Sequence, residues 1–506
     1  MSAPEKKDVN SPATTSFAWD AMIEKWLMIE TLLAGTDSMR EAGRVYLPQH
    51  EEETDTNYSE RLERCTLFNM LELTLDSFVG KPFSDPVKLE DTVPPEIVEL
   101  AETDIDLQGN DITVFCREWF REALAKGLAH ALIDFPVMTE EEAEGRTRAD
   151  DLEDGRRPYW QLIKPENLIF ASAETVLTPE GTREVLTHVR IREFVTERIG
   201  FAEIVRERIR ILEPGSFEVW QKIEKPKKKK DDWELIEAGM TGLPIIPLVT
   251  FYANRVTLMA GKPPLEDLAL LNVRHWQSTS DQISVLTVAR FPMLAVAGAT
   301  DVSGSVMAIG PKQLLGTKDP NGRFYYVEHT GKSIEAGRQD LLDLEEMMAS
   351  YGAEFLKRRP GNRTATARAL DSAEAMSPLQ DHTIRFIDAV DTAMQITAMW
   401  LGLDDGGTVE IAFDFGPEET QDLDLRTLNE ARRNRDLSRK GYFSELARRG
   451  MFADDFDFVA DLKELETEKT IDSPFATGAN VGGKRETSSE LGRPEGGDRA
   501  SKKKGS

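Results

Sequence analysis

After Pro263-Pro264 the residues Leu265, Leu268, Val273, Trp276, Ser280, Ile283 and Leu286 keep to one helical face until Pro292. A second stripe, Leu341, Leu344, Met348, Tyr351 and Phe355, steps by 3 and 4, the seam of helices packed side by side. Between them, strand-like runs at Met293–Val296 and Phe324–Val327 flank the turn signal Asp319-Pro-Asn-Gly322. The chain must therefore accommodate two long helices that bracket a small β module. A third and longer helical pattern follows, through Ala369, Ala373, Met376, Leu379, Thr383, Phe386, Val390, Met394, Thr397 and Leu401. Pro378 falls inside it and is expected to kink or interrupt it.

Upstream, Trp19–Leu33 and Tyr58–Val79 each read as one helix, the second ended by Gly80-Lys-Pro-Phe-Ser-Asp-Pro86. Asp111–Leu128 reads as a helix and Ala131–Phe135 as a strand closed by Pro136. From Tyr159 to Trp220, short β-branched and aromatic runs separated by Pro and Gly predict an antiparallel sheet. Pro226-Lys-Lys-Lys-Lys230 reads as a solvated hairpin tip between Val219 and Leu235. The fold class is therefore α+β, and 506 residues allow about three domain-sized units. From Ile471 to Ser506 almost no large apolar side chain follows Phe475, so the segment cannot offset its ordering entropy and is expected to be disordered. No apolar run approaches the ~20 residues of a membrane span, and Met1–Thr15 lacks the apolar segment of a signal peptide, so a soluble product is expected.

Lys and Arg number 62 against 90 Asp and Glu, a net charge of −28, so no whole-surface attraction to nucleic acid or anionic lipid is available. Any nucleic-acid contact must be local. Cys65 and Cys116 are too few for a disulfide framework or a thiolate zinc site, which suits a reducing cytoplasm. The six His are scattered, with no HExxH, GxSxG or GxGxxG pattern. Gly478–Lys484 has the spacing of a phosphate loop, but Arg485 stands where a hydroxyl should meet magnesium and no apolar strand precedes it. Asp454, Asp455, Asp457 and Asp461 lack the glycine and terminal Glu of a calcium loop. Asp404-Asp405 before Gly406-Gly407 suits a helix exit better than a metal pair. No catalytic, cofactor or metal residue is assigned, and a non-enzymatic protein is expected. One charge pattern stands out. Ser333–Leu356 holds six acids (Glu335, Asp340, Asp343, Glu345, Glu346, Glu354) and one base, Arg338, and is followed at once by Lys357, Arg358, Arg359 and Arg363 with no acid among them.

A series of phrases runs in order from Trp19 to Glu468: Leu33-Ala-Gly-Thr36, Met39-Arg-Glu-Ala-Gly43, Tyr46-Leu-Pro48, Tyr58 with Arg61-Leu62 and Arg64, Lys126-Gly-Leu-Ala-His130, Ile133-Asp-Phe-Pro136, Arg157-Pro-Tyr-Trp160 and Pro165-Glu-Asn167. The densest stretch is Pro263-Pro-Leu-Glu-Asp-Leu-Ala269 with His275-Trp-Gln-Ser278, Ser280-Asp-Gln282 and Ala289-Arg290. Gly310-Pro311, Thr364-Ala-Thr366, Trp400-Leu-Gly402, Tyr442-Phe-Ser-Glu-Leu446 and Arg449-Gly450 complete the series. In these phrases and their order the chain resembles the portal proteins of tailed bacteriophages.

The resemblance implies a homo-oligomeric ring, usually dodecameric, at one capsid vertex of the virion, assembled in the host cytoplasm, with double-stranded DNA passing along its axis. It implies as partners the major capsid protein, the terminase large subunit and a neck or adaptor protein, and no cofactor or membrane. Carried onto this sequence, it implies a flexible N-terminus at 1–18, a wing at 19–262, stem helices at 263–290 and 333–352, and a clip at 291–332. A tunnel loop at 353–365 would follow, then a wing spine and strand at 366–416, a crown at 417–470 and a disordered tail at 471–506. Lys357, Arg358, Arg359 and Arg363 would face DNA on the tunnel loop. Leu341, Leu344, Met348 and Tyr351 would lie at the stem's subunit interface, and a carboxylate-lined lumen would let DNA slide. The alternatives are another phage head protein, capsid or scaffold, and a terminase-type packaging enzyme. The latter needs a complete phosphate loop. Purified protein is accordingly expected to show no ATP hydrolysis above background; turnover abolished by Lys484→Ala would establish the packaging-enzyme alternative instead.

Overall fold

The computed structural model describes residues 11–136, 155–178, 181–223, 232–290, 293–297, 321, 323–327, 331–351, 365–413, 428–434, 438, 441–442 and 446. The chain divides into two compact units, Met1–Pro417 and Glu418–Ser506. In the second, residues 428–433 are helical and the Tyr442 hydroxyl donates to Asn429 Oδ1 at 2.6 Å. The phosphate-loop spacing at 478–484, the acidic residues 454–461, the expected tail and most of the expected crown lie outside the described residues.

The first unit opens with helices α1 (Phe17–Leu33), α2 (Thr36–Ala42), α3 (Asp55–Arg64) and α4 (Met70–Gly80). The reading of Tyr58–Val79 as one helix is corrected here. Cys65 leaves the helical region at ψ 136, and Asn69 starts a new helix by accepting from Glu72 N through its side chain at 3.2 Å. An Asn at an N-cap competes with chain continuity in this way. After the short strand β1 (Lys88–Leu89) come α5 (Pro95–Thr103) and α6 (Ile112–Lys126), the latter capped by Asp111 at one end and by left-handed Gly127 at the other. The strand that follows, β2 (Leu128–Asp134), is buried over all but its last residue.

The segment expected to form one antiparallel sheet forms parts of two. β3 (Tyr159–Ile163) pairs with β2, which also pairs with β9 (Leu248–Tyr252), giving the order β3-β2-β9. A 3₁₀ turn at Pro165–Asn167 then redirects the chain into a second antiparallel sheet of β4 (Leu168–Thr178), β5 (Gly181–Ile199), β6 (Ala202–Glu213), β7 (Ser216–Lys222) and β8 (Trp233–Met240). Lys222 is in register with Trp233, so the lysine run joins a hairpin; Lys227–Lys230 themselves lie outside the described residues. Residues 11–16, expected to be flexible, instead lie on this sheet: Ser16 N donates to Ile169 O at 2.9 Å and Arg190 donates to the carbonyls of Pro12 and Thr14.

The small strands β10 (Arg255–Thr257) and β11 (Ala260–Gly261) lead into α7 (Glu266–Ala289). The insert is a two-stranded antiparallel ladder of β12 (Met293–Ala297) and β13 (Arg323–Val327), with Met293 opposite Val327. Then follow α8 (Lys332–Ser350) and α9 (Ala365–Leu401), and β14 (Val409–Glu410) returns to pair with β1. Helix α9 is continuous through Pro378, so the expected interruption does not occur. Phe386 of α9 sits at the centre of the core, with ring centroids 5.1 Å from Phe120 of α6, 5.0 Å from Phe251 of β9 and 5.2 Å from Trp119. Trp160 Nε1 donates to Thr397 Oγ1 at 2.9 Å and Trp400 Nε1 to Ile133 O at 2.8 Å, so the indoles that tie α9 to β2 and β3 keep their polar ends satisfied.

A buried ammonium binds these layers together. Lys126, at the last turn of α6, has no exposed side-chain surface and reaches Glu122 of α6 at 2.6 Å, Glu30 of α1 at 2.7 Å and Glu166 of the 3₁₀ turn at 2.7 Å. Burial alone would push its pKa down; the charges of Glu122 and Glu166 outweigh that and hold it above the ordinary lysine value. Burial raises the Glu122 carboxyl, whereas at Glu30 the hydrogen bonds from Lys126 and Lys164 overcome burial and lower it. Lys126→Ala would leave Glu122 and Glu166 without their cation and Glu30 with Lys164 alone, and should destabilise the first unit by on the order of 3–5 kcal/mol. Lys25→Ala removes a half-exposed partner of Glu266 and should change stability by about 0.5 kcal/mol or less. Urea unfolding of both variants checks the contrast.

Candidate functional site

The first half of α7 is gripped by the N-terminal helices. Asn272 accepts from Leu71 N through Oδ1 at 3.0 Å and donates through Nδ2 to Phe68 O at 2.9 Å, while Gln277 donates to Tyr46 O at 2.9 Å. Arg61 of α3 is buried and doubly bonded to Glu53, at 2.8 and 2.7 Å; it also donates to Ser280 Oγ at 3.1 Å and to Pro48 O at 2.9 Å. Its hydrogen bonds to Glu53 raise the guanidinium's pKa and lower the carboxyl's. Tyr58, whose ring faces the Arg61 guanidinium at 5.4 Å, donates its hydroxyl to Leu47 O at 3.1 Å. Residues that stand far apart in the sequence phrases, Tyr46, Tyr58, Arg61, Gln277 and Ser280, thus form one clamp.

Beyond Ser280 the helix leaves the core. Over residues 281–287 of α7 and 332–343 of α8 every side chain is exposed or half-buried. The two helices, roughly 36 and 28 Å long, run antiparallel: Gln282 donates to Ile334 O at 2.9 Å, Arg274 meets Asp340 at 3.5 Å and His275 meets Glu345 at 3.7 Å. Gly337 allows the close approach, since a Cβ there would overlap the Gln282 amide. Burial lowers the His275 pKa despite Glu345, so the ring sits neutral in the interface near neutral pH.

Leu344 and Met348 are fully buried within the chain, Leu341 is half-buried and Tyr351 is 49% exposed. Two of the four residues expected at a subunit interface therefore serve the chain's own core, because the seam spacing faces α7. The outward face of α8 carries Glu335, Arg338, Gln339, Leu342, Asp343 and Glu346; Arg338 pairs with Glu335 at 2.6 Å, and Asp343 and Glu346 leave the face acidic, opposite an apolar one. Lys357, Arg358, Arg359 and Arg363, with Glu354 and Phe355, lie outside the described residues.

Among the described residues, the converging carboxylates, the two cysteines and His130 have packing roles. Glu30, Glu122 and Glu166 are the carboxylates that converge as a metal site would among the described residues, and the Lys126 ammonium occupies the place of the cation. Nothing in the spacing of residues 30, 122 and 166 signals this cluster; only the fold brings them together. Burial pushes the Cys65 thiol up to about 12 and the Cys116 thiol higher still, away from the thiolate that nucleophilic chemistry needs. Burial brings His130 down to about 3, with Nδ1 2.8 Å from Thr250 Oγ1. Asp405 accepts from Gly407 N at 3.2 Å, and Gly407 has φ +74, as expected of a helix exit.

Residues 264–401 match a family model described as a domain of unknown function, DUF4055, a span that runs from the start of α7 to the end of α9. No curated protein matches the chain. Among solved structures it is similar to a chain from the neck of a native GTA particle computed with C12 symmetry, at 10% identity over 75% of this chain and 89% of that one, with a TM-score of 0.40. It is also similar to a chain from the virion of a native gene transfer agent particle, at 12% identity over 77% and 92%, with a TM-score of 0.36. A third, from the neck of an empty GTA particle computed with C6 symmetry, gives 11% identity over 71% and 83%, with a TM-score of 0.37. At these identities and scores the likeness assigns no activity or partner to this chain.

The two faces of α8 separate by mutation. Leu344→Asp buries a charge without a partner and should cost several kcal/mol of folding stability. Leu342→Asp, on the acidic outer face, should leave the monomer's free energy of unfolding within about 0.5 kcal/mol of wild type. Equal effects on thermal unfolding would contradict the assignment of faces.

Proposed function

We propose that the chain is a structural component of a tailed-phage-like particle, and specifically the portal subunit: a ring at one capsid vertex through which double-stranded DNA enters and leaves. The observation that carries this reading is the antiparallel α7–α8 pair. It leaves the core after Ser280, holds a β ladder between its two helices and is acidic on the outer face of α8. A pair of helices cannot bury its own flanks: Ile283, Val285, Leu286, Ile334 and Leu341 are only half-buried in one chain, and copies packed side by side would cover them. The α7–α8 pair would form the stem and β12–β13 the clip that meets the motor and then the neck protein. The outer faces of α8 would line a channel whose carboxylates repel phosphate and prevent DNA from sticking. The portal-like phrases in the sequence support the same assignment.

Lys357, Arg358, Arg359 and Arg363 then belong to the loop that touches DNA. A packaging channel must pass any genome, so these contacts would go to phosphates and be blind to base sequence. Negative-stain images of purified protein should show rings, of about twelve subunits, with one axial pore; a closed shell, or a monomer at assembly concentrations, would overturn the reading. Replacing the four bases with Gln should leave rings intact while lowering DNA packaged per particle. Loss of rings, or normal packaging, would assign those bases another role.

A further inference from the structure

Strand β5 ends in two features that the packing of one chain leaves unused. It pairs with β4 up to Ile191 and with β6 from Val189 onward, while β7 covers β6 only over Arg208–Glu213. Among the described residues, the hairpin from Phe194 to Val205 therefore has no neighbouring strand on either edge. Phe194 and Val205 share one face and are 61% and 62% exposed, Ile199 is 52% exposed on the other, and Phe201 at the tip is fully exposed. A hairpin lying along a surface shows one apolar and one polar face. Apolar side chains on both faces and at the tip suit an arm inserted between two walls.

Such a cleft lies at the opposite end of β5. Glu184 and Leu186 border an open groove of about 520 Å³, with Leu258 and Met259 on the strand side and Asp388 and Thr392 of α9 facing them. That space accommodates an aromatic and an aliphatic side chain together. Its rim carries the exposed Asp388 together with Arg255 and Arg385, which pair within the chain with Glu184 and Asp381, and beside the hairpin tip Arg198 and Glu203 are exposed, so Arg198 on the arm finds Asp388 as its opposite on the rim. From Glu184 to Ile199 is about fifteen residues of extended strand, ~50 Å at ~3.3 Å per residue, which keeps the arm from reaching its own groove. A second copy of the chain has no such constraint. Two different patches meeting between identical chains make a heterologous contact, which closes into a ring when the rotation allows.

We propose that the β5–β6 hairpin of one copy inserts Phe201 and Ile199 into the groove between β9–β11 and α9 of the next. This rests on the ring reading above and specifies which surfaces close the ring. Phe201→Cys combined with Thr392→Cys in the full chain should give a ladder of covalent multimers on mild oxidation, which neither single variant gives; the native Cys65 and Cys116 are buried. Phe201→Asp and Thr392→Trp, both at exposed positions, should each abolish rings without lowering the melting temperature. Mixed together, they keep one intact arm and one intact groove per pair and should yield dimers but no rings by native mass spectrometry. Wild-type rings with no cross-link, or intact rings of Phe201→Asp, would overturn this inference and leave the ring reading standing. Wild-type protein that never forms rings would overturn both.

Discussion

The ammonium of Lys126 is the constraint on which the rest of the first unit depends. A buried charge is tolerated only when its partners are held in place, and those partners come from α1, α6 and the 3₁₀ turn that launches the five-stranded sheet. The same residue accepts a hydrogen bond from Trp26 Nε1 through its carbonyl at 2.9 Å, and Trp19 Nε1 donates to Glu166 O at 3.0 Å. Immediately after it, Gly127 turns left-handed at φ +91 and lies against Gly261, where a Cβ on either glycine would overlap the other's backbone. One side chain and one glycine contact thus fix where α1, β2, the large sheet and the entry to α7 stand.

With that entry fixed, the N-terminal helices determine how far α7 remains in the core. Asn272, Gln277 and Ser280 are held by backbone groups and by Arg61, and over residues 281–287 the side chains of α7 are at most half-buried. At the start of the projecting half Asp281 meets His50 at 3.3 Å, and beyond it α8 supplies the contacts, through Gln282 and the close approach at Gly337. A well-packed base thus carries a helical projection whose apolar flanks are only half covered within one chain, and these are the surfaces that the proposed ring would cover with neighbouring copies.

The second junction, between the two sheets, works on the same principle as the Lys126 cluster. Arg210 of β6 reaches Asp134 of β2 at 2.6 Å and Glu193 of β5 at 2.8 Å, and Tyr159 of β3 donates to Asp134 at 3.1 Å. Burial raises the Glu193 carboxyl, while at Arg210 the facing carboxylates outweigh burial and raise the guanidinium's pKa. Two sheets that share no ladder are thereby held at a defined place, which in turn sets how far the β5–β6 arm extends from the core.

Periodicity alone determined the elements whose burial is one-sided and local: α1, α6 with the strand after it, α7, α8 and α9, and the small ladder between α7 and α8. It also placed the acidic face of α8, since charge and apolar residues alternate there at helical spacing. The breaks were not legible. Tyr58–Val79 keeps a helical period across Cys65–Asn69, because all of it faces one core; only the cap at Asn69 and the Arg40 contacts to Cys65 O divide it. The strands from Tyr159 to Trp220 carry no mark of which neighbour each will take, since pairing is decided by register and by the turn at Pro165–Asn167. The seam of α8 specified that a partner exists but could not say whether it is the same chain or another. The three-dimensional packing decided that it is α7. The convergence of residues 30, 122 and 166 on Lys126 was likewise beyond the sequence, because an electrostatic cluster depends on distances between elements, and those distances exist only once the core has formed.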